Sequence, residues 1–194
     1  MPEHRPVTKL RRWLPALVWL VWLGCRPVAA SEVLIDGAAI SAHGSLWRIR
    51  PHLRWQVDPP VIEAIHSGVA VRFQLKGQLI KSAPLWPDSV FDRQTITLEV
   101  RYFSLSKQYL LKNIGAGHQR GFLSLDNLWQ HLGKSVELKL PRNPAANAAA
   151  IRLRLDTGAL PAAMQLPTLF DAAWKLDTGW RVFPLPVGEE RQQP

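Results

Sequence analysis

Hydrophobic and polar residues alternate with period two along most of the chain. From Trp47 to Val57 the odd positions are Trp47, Ile49, Pro51, Leu53, Trp55 and Val57, and the even ones are Arg48, Arg50, His52, Arg54 and Gln56. Such alternation predicts a strand with one buried and one wet face. Pro51 removes a ladder donor, which predicts an edge strand or a bulge there. Val69, Val71, Phe73 and Leu75 repeat the pattern against Arg72, Gln74 and Lys76. Ile96, Leu98, Val100 and Tyr102 do so against Thr95, Thr97, Glu99 and Arg101, and Ile151, Leu153 and Leu155 against Arg152 and Arg154.

Helical spacing occurs in two places. Asp58-Pro59-Pro60 predicts a helix start and Gly68 its stop, with Val61 and Ile65 on one face. Ser124 is placed to cap a second helix carrying Leu125, Leu128, Trp129 and Leu132, with Gly133 as its stop. Trp174-Lys175-Leu176 and Trp180-Arg181-Val182 flank Asp177-Thr178-Gly179, the pattern of a hairpin with a three-residue loop. Pro141 to Ala150 predicts a loop. The fold expected is mainly β: a single antiparallel β-sandwich or curled sheet with two short helices.

The first thirty residues are different material. Arg5, Lys9, Arg11 and Arg12 precede an uncharged run from Trp13 to Cys25, and Val28-Ala29-Ala30 offers a signal-peptidase site. That run is shorter than the roughly 20 residues a membrane span needs. The organisation expected is a signal peptide over 1–30, a β-rich domain over 31–183 and a flexible tail over 184–194, with export by Sec to the periplasm. Leu23-Gly24-Cys25 leaves open a lipid anchor, which would make Cys25 rather than Ser31 the first mature residue. Membrane contact is expected only if Cys25 is lipidated or the signal is retained.

Cleavage after Ala30 lowers the net charge from +9 to +5 and leaves a chain without cysteine, since Cys25 is the only one. Thiol catalysis, cysteine–zinc sites and iron–sulfur clusters are thereby excluded from the mature chain. Nucleic acid is not an expected partner outside the cytoplasm.

Candidate catalytic groups are sparse. Asp-Thr-Gly occurs at Asp156 and again at Asp177, the triplet in which aspartic proteases pair two carboxylates around one proton. Here both copies lie in one small domain, and Arg154 interrupts the apolar run before the first, so structural turns are the stronger reading. His43, His52, His66, His118 and His131 show no metal-ligand spacing, and no G-x-S-x-G elbow is present. Gly115 to Gly121 is one residue too long for a dinucleotide fingerprint. No metal, no cofactor and no enzymatic activity are expected.

The basic wet rows stand out more: Arg48, Arg50 and Arg54 with His52 between them, Arg72 with Lys76, and Arg152 with Arg154. If their strands are neighbours, they form a cationic face for an acidic partner. Trp86, in the turn-like Pro84-Leu85-Trp86-Pro87, is a candidate exposed contact.

The segment Val61 to Phe73 resembles the opening motif of the proteobacterial domain-of-unknown-function family 4390. Leu85-Trp86-Pro87-Asp88, Val100 to Leu105 followed by Gln108-Tyr109, and Arg152 to Asp156 with Leu160-Pro161 match in order. Trp174-x-Leu176 with Trp180 completes the match. Where that family has an arginine- and tryptophan-rich stretch, this chain has the milder Lys76 to Lys81. The resemblance implies an exported protein of no assigned activity, encoded near an envelope sensor histidine kinase and a ribosomal RNA methyltransferase. The expected function is a non-catalytic interaction module that binds another envelope protein with an acidic surface, in its most specific version as an accessory to that kinase. A periplasmic small-ligand or lipid binder is the alternative, and a protease using Asp156 and Asp177 a remote one.

Overall fold

The computed structural model describes residues 32–83 and 86–186. The signal segment, Cys25, Ser31 and residues 187–194 lie outside the described residues, as do Pro84, Leu85 and the side chain of Trp86.

Among the described residues nine strands form two antiparallel sheets. The smaller, of order β1-β2-β7, joins Glu32–His43, Leu46–Gln56 and Leu138–Pro141. The larger has order β6-β5-β4-β3-β8-β9. Its strands are β3 Val71–Ala83, β4 Trp86–Phe103, β5 Gln108–Asn113, β6 Gln119–Phe122, β8 Ala148–Leu155 and β9 Arg181–Pro184. The helices are α1 Pro59–His66, α2 Leu125–Ser135 and α3 Ala162–Phe170.

The alternating rows place the core. Trp47, Ile49 and Leu53 from β2 share one buried cluster with Phe73, Leu75, Leu98, Val100, Ile151 and Leu153 from the large sheet. At its centre Phe73 meets Trp55 edge-on at 5.2 Å and Trp129 at 5.8 Å, while Trp55 stacks on Trp129 at 4.8 Å. Three aromatic rings thus pin two sheets and α2 together. The β-sandwich expectation holds. Gly44 takes φ +57 in the two-residue β1–β2 turn, where a left-handed residue suits the strand twist.

Pro51 lies past the last β2–β7 pair, Ile49 with Leu138, so that half of β2 has a strand only on the β1 side. Helix α2 covers the free edge instead. Its cap forms as expected, Ser124 Oγ accepting from the Asn127 N–H at 3.2 Å. Gly133 does not stop it, for the helix continues to Ser135. A Cβ at position 133 would stand 2.9 Å from the Leu53 carbonyl oxygen, so the glycine permits helix and strand backbones to touch.

Four expectations need correction. A third helix, α3, joins the two foreseen; Pro167 inside it hid its pattern. Trp174 to Val182 is not a hairpin. The Leu155 N–H donates to the Leu176 carbonyl and the Thr178 N–H to the Leu153 carbonyl, both at 2.9 Å, so the segment runs along β8 and β9 completes that edge. An open β8 edge satisfies more backbone groups than three-residue arms folded on themselves. Gly179 keeps the left-handed conformation at φ +63. The loop after Pro141 ends at Asn147, because Ala148 to Ala150 belong to β8 and are buried. Pro184 closes β9 and Leu185 is buried, so the packed chain runs two residues past 183.

Candidate functional site

Strand order decides which basic rows meet. β3 lies between β4 and β8, and its even residues from Arg72 to Gln78 point away from the main core, whereas Ile80 is buried with Ala148 and Ala150 in a second small cluster. On that outer face Lys76 stands directly opposite Arg152, and Gln74 opposite Arg154. Arg72 stands opposite Glu99, and Gln78 opposite Arg93. Lys112 on β5 faces Glu99 from the other side, and Arg101 occupies the same row set. Arg72, Lys76, Arg93, Arg101, Lys112, Arg152 and Arg154 therefore share one open sheet face.

The second group does not join them. Arg48, Arg50, His52 and Arg54 lie on the outer face of the small sheet, across the core. Their charges are largely matched. Glu137 takes Arg50 at 2.7 Å, with Arg48 and Lys139 at 3.9 Å, and Asp36 takes Arg54 at 2.6 Å. Trp86 opens β4 opposite Ala83 rather than sitting in a turn, and its side chain lies outside the described residues.

The large-sheet face is organised by hydrogen bonds. Arg72 pairs with Glu99 at 2.7 Å. The Gln74 amide donates to Asp156 at 2.6 Å and accepts from Arg154 at 3.1 and 3.2 Å. Arg152 grips both oxygens of Asp177, and this contact holds the Asp177 carboxyl below the ordinary carboxylate range. Lys76 and Arg93 have no ion-pair partner among the described residues. Like charges directly opposite on a sheet cost stability, and the Lys76–Arg152 pair has that arrangement.

The two Asp-Thr-Gly triplets make no shared-proton dyad. The Asp156 carboxylate accepts from Gln74 and the Asp177 carboxylate from Arg152, so each is engaged by a different neighbour rather than by the other. Asp177 instead ties the edge segment down, also accepting from the Gly179 N–H at 3.0 Å. Asp177→Asn is expected to lower stability by up to about 1 kcal/mol, since the pair is a third exposed and screened. Because the folded carboxyl is depressed, that contribution is complete well above pH 3.8 and disappears as pH falls below it. Denaturant midpoints of the two proteins should therefore converge in acid.

Alternation alone does not mark Arg93, Arg101 and Lys112 as part of this face. Arg101 was already in a wet row, but only the β3–β4–β5 pairing shows which rows are its neighbours. Among the described residues no cluster of three His, Cys, Asp or Glu side chains is placed to hold a metal. None of the described helices is long and apolar enough to cross a membrane.

No curated protein and no solved structure matches the chain. Residues 30–184 do match a family model, that of the domain of unknown function DUF4390, and the chain belongs to that family.

Proposed function

We propose that this protein is an exported, non-catalytic interaction module of the cell envelope, binding an acidic protein surface through the outer face of its large sheet. The observation that carries the reading is Lys76, without an ion-pair partner among the described residues, set directly against Arg152 on a face that also carries Arg72, Arg93, Arg101, Lys112 and Arg154. Asp177 already answers Arg152, which leaves Lys76 as the cation of the pair free for an anionic partner. From Phe73 to Gln78 the pairing on both sides of β3 is regular, which suits a broad protein contact. An envelope sensor histidine kinase is the specific partner that the family resemblance implies.

The Lys76→Glu, Arg93→Glu double variant tests it. Neither side chain has an ion-pair partner among the described residues, so circular dichroism should be unchanged. Lys76→Glu alone is expected to change stability by less than about 0.5 kcal/mol, because Arg152 is already held by Asp177. The double variant should lose co-purification of the partner, and the wild-type complex should weaken with added salt. Retained, salt-insensitive co-purification would remove this face as the interface.

A further inference from the structure

We infer that a cavity of about 490 Å³ between α2 and the large sheet is a separate binding site, one that takes a small anionic amphiphile: a single acidic headgroup on an apolar body. The cavity exists because the two sheets differ in width. The small sheet ends at β7, leaving β5 and β6 without a strand above them. Helix α2 roofs part of that gap, and the chain then turns from Ser135 into β7, leaving the space open at the helix end.

The lining has two characters. Ile96, Leu98 and Leu111 from the sheet and Leu132 and Val136 from the helix side form an apolar floor. His118, Arg120 and Lys139 bring cationic or proton-donating groups to the same space. The acid present, Glu137, is already held by Arg50 at 2.7 Å, with Arg48 and Lys139 at 3.9 Å. Arg120 lies over the Phe122 ring at 5.4 Å and has no ion-pair partner among the described residues. His131 packs on the same Phe122 ring at 5.2 Å, and burial, then Arg120, lower its pKa, which favours the neutral ring.

The volume lies within the range of small-molecule sites, which combine apolar walls with a few placed polar groups. A bare inorganic anion would leave the floor wet. A neutral hydrocarbon would cover Arg120 without answering its charge. An amphiphilic anion satisfies both. The site opens between the layers, away from the outer cationic face, so it can work independently of the protein contact.

The test uses protein purified from cells expressing the full chain, with the fluorescent anion 8-anilinonaphthalene-1-sulfonate as probe and decanoate as competitor. Saturable one-to-one probe binding, displaced by decanoate and at least tenfold less well by decanol, is expected. Val136→Phe fills the cavity and should abolish binding. Arg120→Gln, at an exposed edge-strand position, should weaken decanoate about tenfold and keeps the test readable if Val136→Phe fails to fold. Absence of saturable binding, equal displacement by decanol, or decanoate displacement unchanged in Arg120→Gln overturns the inference.

Discussion

Phe73→Ala is expected to lower the free energy of unfolding by about 3–5 kcal/mol, the range for truncating a buried aromatic. Phe73 is fully buried and contacts both Trp55 and Trp129, so its loss opens a void where two sheets and a helix converge. Those tryptophans also make the change easy to follow. Urea unfolding monitored by their fluorescence should show a lower midpoint with a similar slope. A loss under about 1 kcal/mol would mean that the layers do not pack through this ring, or that neighbours collapse fully into the space.

Gly133→Ala carries the second large effect, and here the sign is the informative part. In an ordinary helix interior this change gains roughly 1 kcal/mol. At position 133 the new Cβ would lie 2.9 Å from the Leu53 carbonyl oxygen, a backbone atom that cannot rotate away. Helix and strand must then separate, disturbing the Trp55–Trp129 stack as well. A net loss of about 1–3 kcal/mol is expected, as for other overpacked contacts. A stabilised variant would show that α2 does not lean on β2 as described.

Much of this architecture was legible in the residues. Period two from Trp47 to Val57 and from Val71 to Leu75 told which side chains enter the core, and Ser124 with its helical leucines located α2. What periodicity does not encode is the identity of neighbouring strands. β8 pairs with β3 although some seventy residues separate them, so Lys76 and Arg152 meet only in the folded chain. The same blindness let the Arg48–Arg50–Arg54 row look free. Its carboxylate, Glu137, arrives just before β7, 87 residues from Arg50. Gly133 misled for a related reason: a glycine near a helix end reads as a stop unless the strand beside it is known. The site was half legible, since both members of the β3–β8 rows were evident, while their union with β4 and β5 was not.

Under the proposed function the large-sheet face, not the small-sheet face, meets an acidic partner. In-cell photo-crosslinking from position 95 tests it most directly. Thr95 is exposed, points outward and lies opposite Lys76, so a crosslinker there disturbs no ion pair. Position 52, on the far side of the sandwich, serves as the control. One dominant adduct with an acidic envelope protein from position 95, and none from 52, is the result expected. The account is contradicted if position 52 captures the partner instead, or if position 95 yields no adduct while the protein is present and folded.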